Sequence, residues 1–125
     1  MDILEAIGST SLVRLRKIVP ANGANVLVKL ESENPTGSVK DRMALHILRR
    51  AAERGELQPG AIIVEASSGN TGISFAAIGR ALGHRVRIYM PDWMSLERTQ
   101  LMHGLGADVV PVSKAQGGFV GSVRM

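Results

Sequence analysis

Two short segments of the sequence carry residue types able to do chemistry. The first is Asn34-Pro35-Thr36-Gly37-Ser38-Val39-Lys40-Asp41-Arg42. Pro35 and Gly37 make a turn, and Ser38 with Asp41 has the spacing of a capping pair that opens a helix. At helical spacing Lys40 shares a face with Ala44, Ile47 and Ala51, which points it into the apolar stripe. Partial burial, the positive end of the helix dipole and nearby Arg42 all favour the neutral amine there, with Asp41 opposing them. A neutral amine attacks aldehydes and forms Schiff bases with carbonyl substrates or with an aldehyde cofactor. The commoner arrangement, a lysine whose stem packs while its ammonium reaches water, fits the same spacing.

The second segment, Ser67-Ser68-Gly69-Asn70-Thr71-Gly72, leaves an apolar run and opens another helix. Its glycines let backbone approach a ligand, and Asn70 tolerates a left-handed conformation. The helix N-terminus adds unpaired N–H groups and a positive dipole, a combination suited to a carboxylate or phosphate. A plain turn from strand to helix, capped by Ser or Asn, is the competing reading. Neither GxGxxG nor GxxxxGK[ST] is present, so a flavodoxin-like mononucleotide binder is the weaker alternative.

The elements that must hold these segments follow from periodicity. Strands are expected at 25–31 (NVLVKLE), 61–66 (AIIVEA), 85–90 (RVRIYM) and 108–112 (DVVPV), with a further candidate at 12–15 that has no evident partner. Helices are expected at 38–54, at 71–82 and, shorter, at 95–104 with Ser95 as N-cap. In the first, Val39, Met43, Ala44, Ile47, Leu48, Ala51 and Ala52 form the apolar side. The second is so apolar that most of its surface must be covered. Alternating strands and helices indicate right-handed βαβ units, hence an α/β fold with a three-layer parallel sheet. Such sheets bind ligands beyond the carboxyl ends of their strands, where both segments fall.

Composition bounds the rest. The 125 residues are 45% hydrophobic, 21% charged and 3% aromatic, enough for one globular core without disulfide or structural metal. There is no cysteine, so thiolate ligands and a cysteine nucleophile are excluded. Fifteen Lys and Arg against 11 Asp and Glu give a net charge of +4, but the arginines are scattered and the aromatics form no stacking platform, which argues against a nucleic-acid partner. No secretory signal or membrane-length apolar run is visible, so a cytoplasmic location and no membrane contact are expected. His46, His84 and His103 read as surface residues, the methionines Met90, Met94, Met102 and Met125 as packing or domain-contact residues, and Trp93 as a partly buried aromatic or the wall of a cleft.

NPTGSVKDR, SSGNTG after a strand, MPDWMSLER and LGADVV, in this order and spacing, resemble the pyridoxal-phosphate enzymes of the tryptophan-synthase-β fold type. The similarity is greatest to cysteine synthase (O-acetylserine sulfhydrylase) and the cystathionine β-synthase core, and it covers nearly the whole chain. The resemblance implies that Lys40 is the Schiff-base lysine and the acid/base at the substrate Cα. It also implies that Ser67, Ser68, Gly69 and Thr71 grip the substrate carboxylate and that Asn70 hydrogen-bonds the cofactor's phenolic oxygen. The implied reaction is β-replacement of O-acetyl-L-serine, or a similar activated serine, by sulfide through an aminoacrylate to give L-cysteine, in a homodimeric complete enzyme. No metal is implied.

By the same resemblance residues 1–33 form an N-terminal segment that packs partly on a larger domain, and residues 34–125 form a small α/β domain cut near its C-terminal end. A Gly/Thr-rich loop for the cofactor's 5′-phosphate and a hydroxyl residue facing its pyridine nitrogen are expected beyond Met125, since Gly117-Gly118 does not match that loop. Two functions therefore stand as expectations: the lysine-bearing part of a cysteine-synthase-like enzyme, or a non-catalytic domain that binds a carboxylate ligand or a partner subunit.

Overall fold

The computed structural model describes residues 2–125. Five strands and four helices follow one another as β1 (Leu12–Arg14), β2 (Leu27–Lys29), α1 (Lys40–Glu53), β3 (Ile62–Ala66), α2 (Asn70–Ala81), β4 (Arg85–Pro91), α3 (Leu96–Gly104), β5 (Asp108–Val112) and α4 (Gly118–Arg124). Strands β3, β4 and β5 form a parallel sheet in that order, joined by α2 and α3 as crossovers.

Side chains alternate across this sheet, and the alternation assigns its layers. Val86, Ile88 and Met90 of β4 are buried on one face, where α2 packs. Two glycines seven residues apart allow the close approach. A Cβ at Gly79 would lie 2.6 Å from Val86 Cγ2 and 2.9 Å from Ile63 Cδ1, and one at Gly72 would lie 3.3 Å from Ile88 Cγ2. Every α2 residue from Gly72 to Gly79 is buried, as its apolar sequence requires. Helix α4 covers the opposite face, with Gly121 against Val112, so the sheet is the middle of three layers. Helix α1 lies against α2.

Three expectations need correction. The 25–31 run does not join the parallel sheet. Only Leu27–Lys29 is strand, and it pairs antiparallel with Leu12–Arg14, the candidate that lacked a partner. All six residues of this pair are exposed, Leu12 and Leu27 among them, because a two-stranded ribbon has no second layer of its own to bury them. Second, His84 is buried rather than on the surface, with Nδ1 3.0 Å from the Ala61 carbonyl. Third, α4 was not expected: GFVGSVR has no strong helix pattern, and tertiary packing forms it.

The N-terminal segment is tied to α1 by one ion pair. Arg42 donates from Nε to Glu31 Oε2 at 2.7 Å and from its terminal nitrogen to Oε1 at 3.0 Å, a bidentate fork to which Thr10 Oγ1 adds a bond at 2.8 Å. The Arg42 guanidinium first, then the Thr10 hydroxyl, hold the Glu31 carboxyl down at about 2 against an ordinary 4.5. Because the folded value is depressed, the stabilisation is complete above about 4.5 and is lost as pH falls towards about 2. Denaturation midpoints should therefore decline across that window, and Arg42→Ala should flatten the decline. An unchanged acid limb in the variant would show that the pair does not couple to folding.

Candidate active site

Lys40 is the first residue of α1. Its backbone N–H donates to Ser38 Oγ at 3.1 Å, but the N-cap is Val39, without a side-chain cap, and the helix starts two residues later than the sequence suggested. Asp41 does not complete the expected capping pair. Its side chain turns inward and is fully buried. This sets the buried stripe of α1 as Asp41, Ala44, Leu45 and Leu48. Lys40 lies about 100° round the helix from Asp41. It is exposed, as is Ile47 one heptad on, so the expected burial of Lys40 in the stripe is not found. Its amine stands open at the head of the helix.

The Ser67–Thr71 loop follows β3 directly. Ser67 extends the strand register, donating its N–H to the Tyr89 carbonyl at 3.1 Å. Its hydroxyl then accepts from Gly72 N–H at 2.9 Å and from Gly69 N–H at 3.3 Å, which folds the loop under the first turn of α2. Gly69 has φ −151° and ψ −144°, outside the left-handed region, and Ser9 is the only non-glycine with positive φ among the described residues, so Asn70 is helical and no left-handed turn is used. Gly72 suits a close approach: a Cβ there would be 3.0 Å from the Met102 methyl and 3.2 Å from Ser67 Cβ. The N–H groups of Asn70 and Thr71 have no acceptor among the described residues. Two unpaired donors at the positive end of a 12-residue helix make a site for an anion.

One contact holds this loop and another ties α1 to the helix that follows it, neither of them foreseen. Arg98, from α3, donates to the Ser68 carbonyl at 2.9 Å. The Asp41 carboxylate accepts from Thr36 N–H at 2.8 Å, from the Thr36 hydroxyl, and from Ser74 Oγ at 2.6 Å. Ser74 is fully buried in α2, one turn beyond Asn70. The elements bearing Lys40 and the loop are thus linked through one buried carboxylate. The signal was available in the sequence as a serine inside an otherwise apolar helix. Two residues before Ser67, burial pushes the Glu65 carboxyl above its ordinary range.

Of the remaining candidates, Met90 and Met102 are core residues. Trp93 is half-exposed and stacks edge-on with Phe119 at 5.9 Å, beneath the Lys114 ammonium. Among the described residues no cluster of three His, Cys, Asp or Glu side chains could hold a metal ion, and no helix is long and apolar enough to cross a membrane.

Comparison with known proteins bears on this geometry. Residues 3–125 match the family described as pyridoxal-phosphate dependent enzyme. The chain belongs to this family. Cysteine synthase B of Salmonella typhimurium is 49% identical over 118 residues, 94% of this chain and 39% of the relative. Among solved structures, a hydrogen sulfide-producing enzyme of Fusobacterium nucleatum superposes with a TM-score of 0.87 at 50% identity, covering 96% of this chain and 36% of that one. Cysteine synthase of Entamoeba histolytica superposes with a TM-score of 0.90 at 42% identity, covering 98% and 37%. The chain therefore spans less than two-fifths of the length of these relatives. The three-stranded parallel sheet with its helices is the tryptophan-synthase-β-like architecture of those neighbours. Pyridoxal 5′-phosphate is the cofactor of this enzyme family.

The residues present fit that cofactor at one end. An open primary amine leads α1 and suits an aldehyde, while the exposed Asn70 side chain, with no hydrogen-bond partner among the described residues, suits an oxygen of the ring.

Proposed function

We propose that the chain is the lysine-bearing part of a cysteine-synthase-like enzyme that exchanges the acetate of O-acetyl-L-serine, or a similar activated serine, for sulfide to give L-cysteine. The observation that carries this is the linkage of Lys40 to an unsatisfied helix N-terminus through buried Asp41 and Ser74. The names of the relatives support the reaction class.

Lys40 would hold the cofactor through its ε-amine, and Asn70 would bind the cofactor's phenolic oxygen. Pyridoxal phosphate, when bound, supplies a sink for the electron pair released at the substrate Cα. The N–H groups of Asn70 and Thr71, with the Ser68 and Thr71 hydroxyls, bind the substrate carboxylate. Held there, the substrate presents its Cα–H bond to a fixed base, which gains rate by orientation. Lys40 Nζ would accept that proton. Acetate leaves Cβ, hydrosulfide adds there and Lys40 returns the proton to Cα, so O-acetylserine and hydrosulfide become cysteine and acetate with charge conserved. Residues 34–125 form the part that performs these tasks, residues 1–33 lie against further protein, and the whole works as a cytoplasmic homodimer on a small amino acid.

Borohydride reduction of the protein expressed from its own gene, in the presence of pyridoxal phosphate, should fix a pyridoxyl group on Lys40, found by peptide mass mapping. Exclusive labelling at Lys17, Lys29 or Lys114 would sink the assignment.

The exposed apolar residues Leu12, Val13, Ile18 and Leu27 favour a second reading, a non-catalytic domain that binds a carboxylate and a partner subunit. Turnover of O-acetylserine and sulfide by the monomeric 125-residue chain would eliminate it.

A further inference from the structure

We propose that Asp41 is a positioning residue, whose buried carboxylate fixes Lys40 relative to the anion-binding loop by bonding Thr36 and Ser74; the inference rests on Lys40 being the reactive lysine. Asp41 is fully buried, and none of the salt bridges among the described residues involves it. An unpaired buried carboxylate is costly, and an apolar side chain could fill the same space more cheaply, so stability alone does not explain it. Its partners do.

Three donors converge on the two oxygens: Thr36 N–H on Oδ2, and the hydroxyls of Thr36 and Ser74 on Oδ1. Those hydroxyls lie 3.2 Å from each other. Only a group that accepts at both atoms satisfies all three. An asparagine would present an NH₂ to one of them.

The placement of these bonds matters as much as their number. Asp41 is joined to Lys40 by one peptide bond, and Thr36 belongs to the turn that delivers the chain to Lys40. Ser74 stands one helical turn from Asn70 and Thr71, whose N–H groups have no acceptor among the described residues. The path from amine to loop therefore runs through one peptide, one carboxylate and one turn of α2, all buried or helical. Arg98 braces the loop from its other side at Ser68. A tether of this kind limits the freedom of the lysine backbone against the loop, and displacements of about 1 Å cost reactions of this type on the order of 100-fold.

The test compares lysines within one molecule. The protein expressed from its own gene is treated with pyridoxal phosphate and borohydride, and the labelling rate of Lys40 is divided by the mean for Lys17, Lys29 and Lys114, with melting temperature measured in parallel. Asp41→Asn and Ser74→Ala should each lower this ratio about 10-fold, and the double variant should fall by less than the product of the two, because both act through the same carboxylate. Ser74→Ala leaves the Asp41 charge in place, so a fall in that variant reports geometry. Thr36→Val should lower the ratio and Thr36→Ser, which keeps the hydroxyl, should restore it.

An unchanged ratio in folded Ser74→Ala and Thr36→Val, whatever their melting temperatures, would overturn the inference and leave Lys40 as the reactive lysine. A parent protein whose Lys40 reacts no faster than the other three would overturn the lysine assignment itself, and this inference with it.

Discussion

Lys40→Ala should abolish pyridoxyl incorporation at position 40 and lower β-replacement by about 10²–10⁴-fold, the usual contribution of a positioned acid/base. Lys40→Arg should be as inactive: it keeps the positive charge but offers no amine able to bond an aldehyde or take a proton near neutral pH. The pair of variants separates charge from nucleophilicity. Because Lys40 is exposed and makes no side-chain hydrogen bond among the described residues, neither change should alter folding, and melting temperatures should match the parent. A small primary amine added to Lys40→Ala should restore part of the turnover, since the space vacated is open. The same amine should do little for Lys40→Arg, whose side chain fills that space. Steady-state assays of cysteine formation from O-acetylserine and sulfide give the answer. Turnover undiminished in both variants would remove Lys40 from the mechanism.

The exposure of Lys40 also shows where sequence reasoning reached its limit. Helix α1 was legible, but the face it buries was rotated. Leu45, which the apolar pattern passed over, is buried, and Ile47, which it included, is 45% exposed. Asp41 explains the difference, since a polar residue occupies a core position and no hydrophobicity pattern counts it. The same residue misled locally: Ser38 and Asp41 have the spacing of a capping pair, and only the fold shows the aspartate bonding Thr36 and Ser74 instead.

The Ser67–Thr71 loop was readable because its position, between an apolar strand and an apolar helix, is a local property of the sequence. The left-handed conformation that Asn70 tolerates is not used, because glycine at position 69 and asparagine at 70 permit such a turn without requiring it. The β1–β2 pairing was invisible for a third reason. Both strands were expected, but Leu12–Arg14 and Leu27–Lys29 are all exposed, so no buried face in the sequence specified their partner or register.

Helix α4 carries the second large effect, and it depends on one glycine. The chain leaves β5, makes a 3₁₀ turn at Lys114–Gln116 and passes Gly117 at φ 94° before the helix begins. At Gly121 the helix crosses this turn so closely that a Cβ would lie 1.9 Å from the Gln116 carbonyl oxygen and 2.8 Å from its carbon. Both atoms are backbone, so no side chain can swing away, and Gly121→Ala must displace either the turn or the helix. Displacing α4 uncovers a face of all three parallel strands, which it packs across. Overpacking of a fitted core costs about 1–3 kcal/mol, and the backbone contact puts this case at the upper end. Gly104→Ala supplies the control. Gly104 ends α3, and a Cβ there meets nothing within 4 Å. Alanine there should be neutral or stabilising by up to ~1 kcal/mol through helix propensity. Urea denaturation of the two variants should thus move midpoints in opposite directions or leave only Gly121→Ala shifted. Equal midpoints would mean that α4 gives way without cost, and that the sheet face it covers contributes nothing to the stability of the lysine-bearing layer opposite.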